Sequence, residues 1–243
     1  MNEETLDTIF DGKLKLLQSR SGYRFSLDAL LLGHFVTLKK GDRVVDLGTG
    51  NGIIPLVLAR LHSWVSITGV EFQPAMAKRA KKNLELNGLG KRIRIYQGDV
   101  RRIDAVAPPA SFDVVVSNPP YRRPGSGRIS ANDEKQIARH EICGDLDAFL
   151  GAAEFLLRTK GRIALIHLPE RAVDLLTSMR RLRLEPKRLR MVHSRPTVAA
   201  SLMLVEGVKN GRGGMEILPP LIVYRQGQEY SDEVAAMIAG RHN

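Results

Sequence analysis

From residue 43 onward, short apolar runs rich in Val and Ile alternate with longer stretches whose apolar residues return at helical spacing. The runs RVVDL (43–47), VSITGV (65–70), RIRIY (92–96), FDVVVS (112–117) and GRIALIHL (161–168) read as strands. Helices are expected between them at 51–61, 74–87 and 146–158, with a short one near 101–106. Pro74 suits a first helical turn, and Gly88 after Asn87 suits a C-terminal stop. Strand alternating with helix predicts an α/β fold with a doubly wound, mostly parallel sheet. After a further helix near 170–182, PKRLRMVH (186–193) and ASLMLVEG (200–207) follow with no helix between them, which predicts a C-terminal antiparallel hairpin. GVKNGRGG (207–214) reads as a turn and MEILPPLIVY (215–224) as a further strand candidate.

Two segments lie outside this alternation. In QSRSGYRFSLDALLLGHF (18–35), Ser26 is placed to cap a helix through the leucines. The polar stretch RRPGSGRISANDEKQIARHE (122–141) is long enough for a substrate loop. At 243 residues with 43% apolar content, one domain spanning 1–243 is expected, residues 1–40 forming an extension and 41–243 the core.

Composition narrows the setting. No apolar run is long enough to cross a membrane, and MNEETLDTIFDGK is acidic and polar, unlike a leader, so a soluble, unprocessed chain is expected. Cys143 is the only cysteine, so no intrachain disulfide can form, and a cytoplasmic location fits. The six histidines (34, 62, 140, 167, 193, 242) are dispersed, and no metal site is expected. The net charge of +11 makes nucleic acid a candidate partner, because Lys and Arg displace counterions from polyphosphate. The charge is densest in RRLRLEPKRLRMVHSR (180–195), where Arg180, Arg181, Arg183, Lys187, Arg188, Arg190 and Arg195 face a single acid, Glu185. The plainer account of this run is a strand and helix edge with charged outward faces.

VVDLGTGNGIIPLVLA (44–59) reads as strand, glycine-rich turn and helix. Gly48, Gly50 and Gly52 allow close backbone approach to a ligand, with Asp46 at the strand's carboxyl end. The spacing G-x-G-x-G lacks the third glycine of a dinucleotide fingerprint, which disfavours NAD and leaves room for a ligand built from an amino acid and an adenosine. Glu71 ends the second strand, where an acid can reach ribose hydroxyls, and Asp99 follows the third, where it can accept from an adenine amine. The fourth strand ends in SNPPY (117–121). Its prolines stop the strand and stiffen the turn, holding the Asn118 side-chain oxygen and the Pro119 carbonyl as two acceptors. Such a pair, fixed by Pro119 and Pro120, suits the two hydrogens of a planar amine, on which Tyr121 can stack.

Asp46 to Gly52, Glu71 and Asp99 resemble the cofactor elements of class I S-adenosylmethionine-dependent methyltransferases, which implies a Rossmann-like, mostly parallel seven-stranded sheet ending in the antiparallel hairpin. N-P-P-Y resembles the tetrad of enzymes that methylate adenine N6, guanine N2 or a glutamine amide. SGYRFSLDALLLG (21–33), ARHE (138–141), LPERA (168–172) and YSDEV (230–234) resemble the bacterial tRNA(Val) (adenine-N6)-methyltransferase family. That resemblance implies S-adenosylmethionine as cofactor, Asn118 beside it, and Tyr23, Arg24, Phe25 and Asp28 on the outer wall of its pocket. Asp28 has a plain alternative as a first-turn acid, and Phe25 as a hydrophobic staple. The implied function is transfer of a methyl group to an exocyclic amine of RNA, adenine N6 in tRNA foremost. Arg122, Arg123, Arg128, Arg188, Arg190 and Arg195 would then hold phosphates. Ribosomal RNA guanine N2, a protein glutamine, and an RNA-binding module without turnover stay open as alternatives.

Overall fold

A computed structural model describes residues 4–19, 27–120 and 146–241. The main sheet is built from β3 (Arg43–Leu47), β4 (Ser66–Glu71), β5 (Ile93–Gln97), β6 (Phe112–Ser117), β7 (Leu157–His167), β8 (Leu184–His193) and β9 (Ala200–Lys209), and the two-residue strands β10 (Glu216–Ile217) and β11 (Leu221–Ile222). Their order is β10-β8-β9-β7-β6-β3-β4-β5, with β11 also on β8. The first five strands of this set are mutually parallel, and β9 runs antiparallel to both β7 and β8. This is the expected sheet of seven strands with its antiparallel hairpin, extended at one edge by two short parallel strands. Pro219 and Pro220 split the expected strand at 215–224 in two, since proline donates no ladder hydrogen bond.

Alternate residues of the same strands feed two cores. Val44, Val114, Val116, Ala164 and Ile166 face a layer made by α1 (Leu27–Phe35), α2 (Ile53–Leu61), α3 (Pro74–Leu86) and α6 (Asp232–Ile238). Val45, Leu47, Val115, Ile163 and Leu165 face α4 (Leu146–Leu156), α5 (Ala172–Arg181) and the 3-10 turn Val100–Ala105. Covering on both faces explains why these strands are continuous apolar runs, each buried Val, Ile or Leu contributing about 1.5–3 kcal/mol. Pro74 opens α3 and Gly88, with φ of 64°, follows its end, as the sequence predicts.

Two elements are not evident from the sequence pattern. β1 (Glu4–Ile9) and β2 (Leu14–Ser19) form an antiparallel hairpin in the stretch that reads as a polar terminus. Leu14, Leu16 and the turn residue Phe10 are buried in the first core, and hydrogen bonds from two asparagines add to the docking. Asn83 of α3 accepts from Leu17 N at 2.7 Å and donates to Leu17 O at 3.2 Å, while Asn87 does the same with Lys15 N at 2.9 Å and Lys15 O at 2.7 Å. Four helical residues rise about 6 Å and two strand residues about 6.6 Å, so the two amides meet alternate backbone groups of β2. The other element is α6, whose first turn is capped by Ser231 Oγ accepting from Val234 N.

The link from α1 to β3 is pinned by buried ion pairs. Glu206 of β9 accepts from Thr37 N at 2.7 Å, and Arg162 of β7 donates to Thr37 O at 3.0 Å and pairs with buried Asp42. Among the described residues no helix is long and apolar enough to cross a membrane. Ser26 and the polar stretch 122–141 lie outside the described residues.

Asn83→Leu would leave the buried backbone groups it serves unpartnered. The expected cost is about 2–4 kcal/mol in urea denaturation, against about 1 kcal/mol or less for Asn87→Ala, whose contacts to Lys15 are exposed. Equal costs would show that the hairpin is held by its apolar side chains alone.

Candidate active site

The carboxyl ends of β6, β3, β4 and β5 are neighbours in the sheet, and the sequence-expected groups gather there. Asp46 belongs to the end of β3, Gly48, Gly50 and Gly52 to the loop after it, Glu71 to the end of β4, Asp99 to the turn after β5, and Asn118, Pro119 and Pro120 to the turn after β6. The loop after β3 turns sharply: Gly48 and Thr49 both donate to Val70 O, at 2.9 and 3.0 Å, and Gly52 donates to Thr49 O at 2.9 Å. Gly52 has φ of 85°, and a Cβ there would stand 3.2 Å from Ala80 Cβ of α3. Glycine therefore meets two demands at this position, a left-handed backbone and close helix packing.

Glu71 is buried, and its two oxygens accept from Gly50 N and Gln73 N, each at 2.8 Å. Burial raises its pKa, and these backbone donors oppose the rise. Asp46 differs. It is fully buried, and neither carboxylate oxygen has a hydrogen-bond partner. Burial pushes its pKa up to about 7, and the charge of Glu71 pushes in the same direction. The Thr49 hydroxyl is near enough to temper the shift without forming a hydrogen bond of normal geometry. Thr49 Oγ1 and Asn51 Nδ2 are likewise buried and unpartnered. Such groups are costly to desolvate, so their concentration in one loop suits a polar ligand that would satisfy them.

Asp99 takes another path. Its carboxylate accepts from Arg101 N and from the Arg101 guanidinium, at 2.6–3.0 Å, and the Arg101 hydrogen bond holds its pKa below the ordinary carboxylate value. At the turn after β6, Pro119 is buried and Asn118 half-buried. Ser117 Oγ donates to Leu47 O at 2.7 Å, tying the last residue of β6 to the end of β3. Residues 38–209 match the family model described as a methyltransferase domain. The chain belongs to the methyltransferase domain family.

Over 149 residues the chain is 37% identical to the tRNA1(Val) (adenine(37)-N6)-methyltransferase of Yersinia pestis (strain Pestoides F), the match covering 60% of the chain and 58% of the relative. The chain thus spans a little over half the length of the curated relatives it matches. A crystal structure described as a predicted O-methyltransferase, protein Atu636 from Agrobacterium tumefaciens, superposes with TM-score 0.74 at 26% identity, covering 88% of this chain and 96% of that one. A SAM-dependent methyltransferase from Aquifex aeolicus shares the fold, with TM-score 0.53 at 15% identity over 71% of this chain and 85% of that one.

Asp28 lies half-buried in the first turn of α1. Tyr23, Arg24, Phe25, Tyr121, Arg122, Arg123 and Arg128 lie outside the described residues. Arg188 and Arg190, expected on phosphates, are committed inside the fold. Arg188 donates to Thr37 Oγ1 at 2.7 Å, pairs with Glu206 at 3.4 Å and lies 4.8 Å over the Phe35 ring. Arg190 makes a forked pair with Glu233 at 2.6 and 2.8 Å and donates to Pro219 O. Alternation along β8 turns both toward the α1 and α6 layer, which the period-two pattern R-L-R-M-V could have signalled. Arg195 lies past the end of β8, is exposed, and donates to Gly227 O at 2.8 Å. Sequence reasoning missed Thr49, Asn51, Ser117 and Asn83, the last donating to Asn51 O at 2.9 Å, because none differs in type from an ordinary turn or helix residue.

A carboxyl with a folded-state pKa of about 7 against an ordinary 3.8 binds its proton more tightly when folded, so the stability it leaves is greatest below about pH 4 and falls as pH rises toward 7. Asp46→Asn is therefore expected to stabilise the free protein at about pH 8, by up to roughly 4 kcal/mol, and to change it little near pH 4. Urea denaturation of both proteins across that range checks this; a difference independent of pH would contradict it.

Proposed function

We propose that the protein transfers a methyl group from S-adenosylmethionine to an exocyclic amine of RNA, adenine N6 in tRNA being the best-supported substrate. The observation that carries the reading is the Asn118-Pro119-Pro120 turn on β6, the strand beside the glycine loop of β3, with Ser117 tying the two strand ends together. S-adenosylmethionine supplies, when bound, a methyl on a sulfonium that leaves without a proton or metal at the sulfur. Asp46, Thr49 and Asn51 would satisfy its amino acid part, Glu71 its ribose and Asp99 its adenine. For Asp99 this means sharing or releasing its fork with Arg101, while Glu71 keeps free lone pairs beyond its two backbone donors.

The chain's own work is positioning. The Asn118 side-chain oxygen and the Pro119 carbonyl both accept, so together they suit a nitrogen bearing two hydrogens and favour its pyramidal, nucleophilic form. A hydroxyl acceptor has one proton and would need a base in place of this pair. Tyr121 is assigned to stack on the base. An adenine in a loop reaches such a turn at a lower unstacking cost than one in a duplex. The relative's recorded substrate, tRNA1(Val), supports tRNA over ribosomal RNA or a protein amide. The cytoplasm is the compartment this reading requires.

Incubation with labelled S-adenosylmethionine and, separately, tRNA, ribosomal RNA, DNA and release-factor protein, followed by digestion, is expected to yield N6-methyladenosine from tRNA. Label confined to protein or to guanine N2 would overturn the substrate. Asn118→Ala is expected to lower kcat about 10²–10³-fold, and Asn118→Asp, which keeps an acceptor, less. Full activity in Asn118→Ala would overturn the assignment of that residue.

A further inference from the structure

Beyond the end of β8 a second site takes shape on the edge of the sheet that carries the glycine loop. β8 is antiparallel to β9, which is antiparallel to β7, so β8 runs in the same sense as β3 and β6 and ends at the same edge. In register, Ser117 of β6 is level with Leu165, Val205 and Leu189. His193 lies four residues past Leu189, so β8 extends beyond the level at which β6 ends, on the same side of the sheet. The two strand ends are three strand spacings apart across the sheet and four residues apart along it, about 20 Å in all.

A concavity of about 400 Å³ opens here, lined by Ser194, Arg195, Val198, Tyr224, Gly227 and Gln228. Backbone bonds hold its frame: Val223 N donates to His193 O at 2.8 Å, Tyr224 N to Ser194 O at 3.0 Å and Ser231 N to Val223 O at 2.9 Å. Tyr224 and Tyr230 pair across the turn, their rings stacked with centroids 5.1 Å apart at 21°. Tyr230 is 39% exposed, which leaves part of its ring open to a ligand. Arg195 is aimed across the turn at Gly227 O, while Arg188 and Arg190 on β8 each face a carboxylate. An arginine bonded to a neutral carbonyl keeps its charge for a phosphate.

We propose that this concavity binds a nucleotide of the substrate RNA beyond the methylated one, a base stacking on the Tyr224–Tyr230 pair and Arg195 taking a phosphate. Stacked rings serve any base, and a fixed guanidinium serves any backbone, so the site sets grip and register without reading sequence. The distance suits a single strand, whose bases rise about 3.4 Å each when stacked and more when splayed. The proposal rests on the RNA methyltransferase reading, which it deepens.

The test uses the full chain and an unmodified tRNA transcript, measuring steady-state methylation and, by anisotropy with labelled transcript, RNA binding. Tyr230→Ala and Arg195→Ala are each expected to raise KM and Kd for tRNA roughly five- to hundredfold, with kcat at saturating RNA and the affinity for S-adenosylmethionine unchanged. Tyr230→Phe, which keeps the ring, is expected to match the parent, and Arg195→Ala to lower the slope of log Kd against log salt by about one. Unchanged KM and Kd in both alanine variants, with tRNA still methylated by the parent, would overturn the site alone. No methylation of any RNA by the parent would overturn the functional reading, and the binding measurement would still decide the site.

Discussion

Parallel pairing of β3 on both sides, with β4 and with β6, is the constraint on which the rest of the structure depends. Chain leaving β3 crosses to β4 over one face, and β6 is reached only after β5, so the connections diverge above β3 and leave a crevice at its carboxyl end. The glycine loop, Glu71 and the Asn118 turn all border that crevice because each follows one of these three strands. Ser117 and Leu47 close the gap between β6 and β3 with one hydrogen bond, which ties the start of the Asn118 turn to the loop after β3.

Burial of charge organises what surrounds it. Asp46 lies in the sheet without a partner, a local cost that the apolar cores on both faces offset. Farther out, the buried carboxylates Asp42 and Glu206 are matched by Arg162 and Arg188, and the half-buried Glu233 by Arg190. Several arginines behind the +11 therefore serve as internal fasteners between β7, β8, α6 and the link into β3. Each such pair cancels internally and leaves the net +11 to the remaining side chains, the exposed Arg195 past the end of β8 among them.

The N-terminal hairpin shows how the outer parts attach to the centre. Asn83 joins Leu17 of β2 to the carbonyl of Asn51 in the glycine loop, so one buried amide links the hairpin to the loop at the carboxyl end of β3. Its neighbour Asn87 continues the contact one turn along, where α3 and β2 share a repeat of nearly the same length.

The strands β3 to β7, the helices between them and the placement of Asp46, Glu71, Asp99 and Asn118 at or just past strand ends were legible in the sequence. Their signals are local: apolar runs for strands buried on both faces, glycines where φ must be positive, prolines where a ladder must stop. The hairpin β1–β2, the inward turn of Arg188 and Arg190, the lone burial of Asp46 and the tyrosine pair were not. Each depends on a partner distant in sequence, Asn83 for Leu17, Glu233 for Arg190, Tyr230 across a turn from Tyr224. The sequence alone determined which strands would line up and which residues stand at their ends, because backbone sterics and burial act between near neighbours. Only the tertiary structure decided which charges are neutralised and which keep a free face, because that follows from what the folded chain brings within hydrogen-bonding distance.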